Sequence, residues 1–172
     1  VQNSTHLLNK ILMRFLVCSF FLLSGCSVYT FTGVNTTAKS ITITNFLNRA
    51  SAGPANLGIN FTEKLKEYYQ RNSQLNIVNK EGELSIIGNI TKFLVSPVAA
   101  TAQDRAAENR LTIEVELDFV NTKDDKKNFT QTFSFYDNFP QNQTLTQVQE
   151  EKVEKILNQI VLDIFNKTVA DW

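Results

Sequence analysis

Leu111, Ile113, Val115, Leu117 and Phe119 alternate with Thr112, Glu114, Glu116 and Asp118, the clearest two-residue period in the chain. Such alternation predicts a strand over 111–120 with one dry and one wet face, as in an antiparallel sheet. Ser40 to Phe46 alternates too, placing Ile41, Ile43 and Asn45 on one face and the β-branched Thr42 and Thr44 on the other. A short strand is expected over 75–79, with Glu81-Gly82 turning the chain. Residues 83–95 then change phase. Leu84, Ile86 and Ile90 share one parity and Phe93 and Val95 the other, which calls for a bulge or bend near Thr91. Pro97 ends that strand, and residues 96–108 read as a loop of small residues. The strand over 129–136 brings Phe129, Phe133 and Phe135 to one side, after a charged connection over 123–127.

Two stretches follow the helical period instead. Leu57, Phe61, Leu65, Tyr68 and Tyr69 form one stripe over 57–71, with Asn60 as N-cap and Glu63 three residues on. Near the end of the chain, Val153, Ile156, Leu157, Ile160, Val161, Ile164, Phe165 and Val169 form a wide apolar stripe, opened by a capping box of Thr146 and Gln149. A stripe that wide must be buried, and the face of Val115 is the natural partner for that of Ile160. The order is read as β-α-β-β-β-α. It predicts an α+β fold: a two-layer sandwich, with a mainly antiparallel sheet of about four to five strands and two helices packed on one face.

The N-terminal stretch is of another kind. From Val1, or from Met13 as start, a basic flank (Lys10 and Arg14, or Arg14 alone) precedes an apolar run over 15–23. That run has the length of a signal-peptide core and is far short of the roughly 20 residues that span a bilayer as a helix. It ends in Leu23-Ser24-Gly25-Cys26, which resembles the lipobox of bacterial lipoproteins. The resemblance implies a diacylglycerol on the Cys26 thiol, cleavage before Cys26, and a further fatty chain such as palmitate on the freed amine. The alternative is an ordinary cleaved leader with a chance cysteine at its edge. The organisation expected is a lipoprotein signal peptide over 1–25, a lipidated tether over 26–39 and one domain over 40–172.

Loss of the leader removes Lys10, Arg14 and no acid, leaving 15 basic against 17 acidic residues, a net charge of −2. Nucleic acid asks for a basic face, so it is not an expected partner. His6 and Cys18 fall before the cut, which leaves a mature chain with no histidine and a single cysteine committed to lipid. Histidine triads, thiol catalysis, histidine or cysteine metal sites and an internal disulfide framework are thereby unavailable. The carboxylate pairs Glu114/Glu116 and Asp124/Asp125 read as a solvated strand face and a turn. No glycine-rich phosphate loop occurs, and no cofactor or enzymatic activity is expected.

Several segments resemble a divergent branch of the lipopolysaccharide-assembly lipoprotein family LptE. They begin with 26–33 (Cys26-Ser27-Val28-Tyr29 onward), Ile41-Thr42-Ile43 leading to Asn48-Arg49, 79–84 and 95–99. The most specific are Asn109-Arg110-Leu111-Thr112-Ile113, Gln131-Thr132-Phe133-Ser134, and the ending over 163–172. The resemblance implies a sheet packed by two helices, an outer-membrane location, and a role as plug and assembly partner of the LptD β-barrel that assists lipopolysaccharide to the outer leaflet. Ser27, rather than Asp, after Cys26 is consistent with sorting to the outer membrane. A ligand-binding or scaffolding envelope lipoprotein without a barrel partner, and an envelope enzyme using carboxylates alone, are the readings from other classes. An anionic glycolipid needs cationic donors beside apolar surface. Arg105 and Arg110 flank such a stretch, with Val98, Ala99, Ala100, Ala106 and Ala107, and are the candidate lipopolysaccharide contacts; pairing of Arg110 with Glu108 is the structural alternative.

Overall fold

The computed structural model describes residues 36–98 and 107–169. The leader, Cys26, Arg105 and residues 170–172 lie outside the described residues. Within them the order is β1 (Ser40–Ile43), β2 (Leu47–Asn48), α1 (Leu57–Asn72), β3 (Asn76–Ile77), β4 (Leu84–Val98), β5 (Glu108–Asn121), β6 (Phe129–Pro140) and α2 (Leu145–Val169). The strands form one sheet in the order β3-β1-β4-β5-β6, with β2 also beside β4. Two helices on one face of an open sheet make the α+β architecture expected from the sequence.

The long strands β4, β5 and β6 pair antiparallel. Their register slips between Ile90 and Lys92, where the change of parity asks for a bulge. At the other side the sheet is parallel, because β1 pairs with both β3 and β4 in that sense and β2 with β4. The connection from β3 to β4 that makes this pairing possible runs across the start of β1. Glu81 takes a positive φ of 55° there, the Gly82 amide donates to Thr42 Oγ1 at 2.9 Å, and that of Glu83 donates to Ser40 Oγ at 3.1 Å. A Cβ on Gly82 would lie 2.5 Å from the Thr42 nitrogen, so only glycine fits this crossing.

Leu111, Ile113, Val115, Leu117 and Phe119 of β5 are all buried, as are Ile156, Leu157, Ile160, Val161, Ile164 and Phe165 of α2, and they share one core. The expected meeting of the Val115 and Ile160 faces is what the structure has. Helix α1 adds Leu57, Phe61, Leu65 and Tyr69 to that core. It joins α2 through the Phe165 ring, edge-on to Tyr68 and Tyr69 at 5.0 and 5.1 Å, and through a hydrogen bond between the Tyr69 and Thr168 hydroxyls. Burial pushes the Tyr69 hydroxyl well above its ordinary pKa, so it stays protonated and bonded to Thr168.

Several local expectations are corrected. Asn60 is not an N-cap: α1 starts at Leu57, and the Asn60 amide already donates to Asn56 at 2.9 Å inside the helix. The reason is Gly58, whose missing Cβ lets the Phe46 carbonyl approach to where a methyl would stand only 2.3 Å away. Thr62 completes the joint by accepting from the Phe46 amide at 2.9 Å and donating to the Gly58 carbonyl at 2.8 Å. Phe46, not Asn45, is therefore the buried residue after β1. The capping box of α2 stands two residues earlier than expected, with the Thr144 amide donating to Gln147 Oε1 at 2.8 Å. Pro97 does not end β4. It pairs opposite Asn109 on a strand whose other edge meets no strand beyond Asn48 among the described residues, where a missing N–H costs no ladder bond.

Candidate functional site

The helices cover one face of the sheet and leave the other open. Along β4, β5 and β6 this open face can be read off the register in rows. Leu94, Thr112 and Tyr136 form one row, Ser96, Arg110 and Asn138 the next, and Val98, Glu108 and Pro140 the last before the end of the hairpin. Leu94 is 50% and Tyr136 48% exposed, an apolar pair with Thr112 between them. The Arg110 guanidinium carbon lies 3.7 Å above the centre of the Tyr136 ring, stacked as a cation on a π face. Arg110 Nε donates to Asn138 Oδ1 at 2.9 Å, and Asn138 Nδ2 donates to Glu108 Oε2 at 2.8 Å. Arg110 and Glu108 are thus joined through Asn138, which helps to hold the guanidinium over the Tyr136 ring. Arg and Tyr together in one exposed patch are the types enriched where interfaces are anchored. Arg105, the other candidate, lies outside the described residues.

Lower on the same face the expected carboxylate pair is divided between two settings. Glu114 Oε1 pairs with Lys92 at 2.7 Å, while Glu116 is exposed opposite Asn89 and Thr132. Asp124 caps its own turn by accepting from the Lys126 amide at 3.2 Å. These carboxylates do a scaffold's work. Among the described residues no group of three metal-ligating side chains assembles, and no helix is long and apolar enough to cross a membrane.

Tyr136, Leu94 and Asn138 were not marked by their sequence pattern. Their signal was parity. Tyr136 and Leu94 sit out of phase with Phe133, Phe135, Phe93 and Val95, so once the core face is assigned they must point to the open one.

The helix-covered side of the same strand end carries a largely enclosed cluster of charges. Asp137 on β6 is 14% exposed and meets two lysines of α2, Lys155 at 2.8 Å and Lys152, itself 15% exposed, at 3.0 Å. Burial works against the Asp137 charge, but the ammonium groups of Lys155 and Lys152 outweigh it and hold the carboxyl below its ordinary pKa. The Asp137 carboxylate beside it in turn raises the pKa of Lys152. This clamp fixes the first half of α2 to the strand that presents Tyr136 and Asn138.

An open, cation-bearing apolar shelf on a two-layer α+β scaffold is what the described residues present. The family model described as lipopolysaccharide-assembly, LptE, matches residues 38–168, more than half of the chain, and the chain belongs to this family of non-enzymatic lipoproteins. Solved structures share the fold. A minor lipoprotein from Acinetobacter baumannii is 14% identical with a TM-score of 0.51, over 77% of this chain and 93% of its own. A lipoprotein B from Nitrosomonas europaea is 16% identical with a TM-score of 0.51, over 77% of this chain and 83% of its own. A protein from Xanthomonas campestris is 10% identical with a TM-score of 0.53, over 78% of this chain and 85% of its own. No curated protein matches the chain by sequence.

Proposed function

We propose that this chain is an outer-membrane lipoprotein, acylated on Cys26 after removal of residues 1–25. In this reading residues 26–39 tether a single domain over 40–172 that serves as plug and assembly partner of an LptD-like β-barrel during lipopolysaccharide export. Family membership over residues 38–168 carries the reading, because it spans nearly all of the described domain. The exposed Leu94 and Tyr136 of the shelf support it by offering apolar anchors to a barrel wall on a face that the chain's own helices leave free. Arg110, with Arg105, is the proposed contact for the anionic glycolipid: its cation stands on an aromatic ring next to aliphatic surface, a combination suited to phosphates that carry acyl chains.

Capture of the tagged protein from detergent-solubilised outer membrane is expected to bring down a large β-barrel and lipopolysaccharide. The folded Arg105→Glu/Arg110→Glu variant should keep the barrel and lose most of the glycolipid. Absence of the barrel would leave a scaffolding lipoprotein without a barrel partner. Unchanged glycolipid on the double variant would remove Arg105 and Arg110 from the lipid pathway.

Mass analysis of the mature N-terminus is expected to find Cys26 with a diacylglycerol and a further acyl chain. Cys26→Ser should accumulate as uncleaved precursor, because the lipoprotein peptidase acts on the modified cysteine. Two or more chains anchor stably where one is marginal, each buried methylene adding about 0.8 kcal/mol. An unmodified Cys26 in the wild type would refute the anchor.

A further inference from the structure

Strand β6 is the outer strand of the sheet beside β5, and among the described residues nothing pairs with its other edge. The Gln141 amide donates to the Ala107 carbonyl at 3.0 Å, which sets the alternation of this antiparallel pair. Odd-numbered residues of β6 turn their backbone groups to β5. The amides and carbonyls of Thr130, Thr132, Ser134, Tyr136 and Asn138 therefore point outward, five donors and five acceptors along roughly 30 Å of edge. Natural sheets blunt such edges with charge, proline or brevity. Strand β3 at the opposite edge has two residues, and the free upper edge of β4 carries Lys92 and Pro97. Residues 129–136 of β6 hold no charge, proline or glycine. Pro140 stands beyond the row, and Asp137 turns to the helix side and its lysines.

We propose that β6 takes an added strand from the barrel partner, an extended loop segment that pairs with the edge from Thr130 to Asn138. The inference rests on the plug reading above and goes beyond it by naming an edge, a backbone pairing and the character of the partner segment. Alternating free amides and carbonyls are complemented by another extended backbone, the chemistry of strand addition. A closed barrel has no edge of its own to give, so the segment comes from a loop that enters the lumen. On the helix side the added strand lies along Phe129, Phe133 and Phe135, of which Phe129 and Phe135 are half-buried and gain cover. On the open side it meets the exposed Thr130, Thr132 and Ser134 hydroxyls. The partner segment therefore alternates apolar side chains with hydroxyl or amide ones. Its polar side suits a barrel lumen, which is itself polar, and it continues onto the shelf through Tyr136 and Asn138.

The test is hydrogen exchange at single-residue resolution on the full chain, free in detergent and in the complex captured with its barrel. In the complex the amides of Thr130, Thr132, Ser134, Tyr136 and Asn138 are expected to slow by about tenfold. Those of Gln131, Phe133 and Phe135, already bonded to β5, should change little. Thr132→Pro should abolish the slowing at 130–134 and leave the fold intact, because the Thr132 amide makes no ladder bond. Thr132→Lys, which keeps the amide and adds a charge to the edge, gives a milder version if the proline impairs folding, which thermal unfolding would reveal. Glu116→Ala, opposite Thr132 on β5 and away from the edge, should leave the slowing unchanged. Capture of the barrel with no slowing at the outward amides overturns the added strand and leaves the plug standing. Failure to capture a barrel removes both. Slowing already present in the free chain also overturns the proposal: if it fades on dilution the edge belongs to a second copy, and if it persists, to another segment of the same chain.

Discussion

Ile160→Ala is expected to lower the unfolding free energy by about 2–5 kcal/mol, the range for deleting a buried aliphatic side chain whose site collapses only in part. Ile160 is fully buried at the centre of α2, between Ile156, Leu157 and Ile164 of its own helix and the core of β5 and β6. Its site has little freedom to close, because Asp137 holds the first half of α2 to β6 and the Tyr69–Thr168 hydrogen bond fixes its last turns to α1. The upper half of the range is therefore expected. Glu116→Ala is the matched control: it lies one position from Val115 but on the open face, exposed to solvent. Its cost should stay within about 0.5 kcal/mol, as for surface changes away from special features. Denaturant titrations of both variants check the pair, and equal shifts of the midpoint would mean that the strand phase or the helix stripe is misassigned.

That contrast is legible in the sequence, because it needs only period. A two-residue alternation fixes which side of β5 is dry, and a 3.6-residue stripe fixes which side of α2 must be covered. The bulge at Ile90/Lys92 followed from the same logic, since two parities in one strand can face one core only across an inserted residue. What period does not encode is how the edge strands are ordered. The parallel placement of β1 between β3 and β4 depends on Gly82 passing under the Thr42 amide and on Glu81 in a left-handed turn, contacts between residues some forty positions apart.

The caps of the helices, though not the start of α1 at Leu57, differ from the sequence expectation for a related reason. Asn60 and Thr146 have the side chains of a cap, but a helix begins where the chain is handed over from its neighbour. For α1 that place is the approach of Phe46 to Gly58, a tertiary contact. For α2 it is the turn after Pro140, where the Gln143 amide bonds to the Pro140 carbonyl at 3.0 Å and Thr144 becomes the cap.

For the candidate site, a residue pattern flagged Arg110 while its working surroundings came from strand pairing. The register sets Arg110 opposite Asn138, and Tyr136 one row away, which turns a lone cation into a cation fixed on a ring. A cleft at the other end of the sheet, lined by Thr36, Lys126 and Lys167, is less visible still. Thr36, Lys126 and Lys167 are far apart in the chain, and nothing in the local sequence of any one of them announces the cleft they share.

Asp137→Ala is expected to cost about 1.5–3 kcal/mol at neutral pH, the range for a hydrogen bond to a charged group, because it strands Lys152 in a largely enclosed place. Lys152 keeps Glu151 at 3.2 Å, but that carboxylate is largely exposed and offers a weak replacement. The pH dependence separates this clamp from simple loss of packing. The folded state holds the Asp137 carboxyl below its ordinary pKa, so its contribution is fully present above the unfolded value of about 3.9 and is lost as pH falls through the lower folded one. Wild type and Asp137→Ala should therefore differ most from about pH 5 upward, and the gap should narrow steadily on acidification below about pH 4. Asp137→Asn, which keeps the volume and loses the charge, should follow the alanine variant at neutral pH and approach the wild type in acid. The same variants report on the shelf, since Asp137 lies between Tyr136 and Asn138 on β6. Release of the clamp should loosen the strand end that positions Arg110 and speed amide exchange within 136–139 ahead of the buried centre of β5. Thermal unfolding at pH 3, 5 and 7 with exchange measured on the same samples checks both parts. A gap between wild type and Asp137→Ala that is constant across those pH values would reduce Asp137 to a packing residue and leave Arg110 to be held by Asn138 and Tyr136 alone.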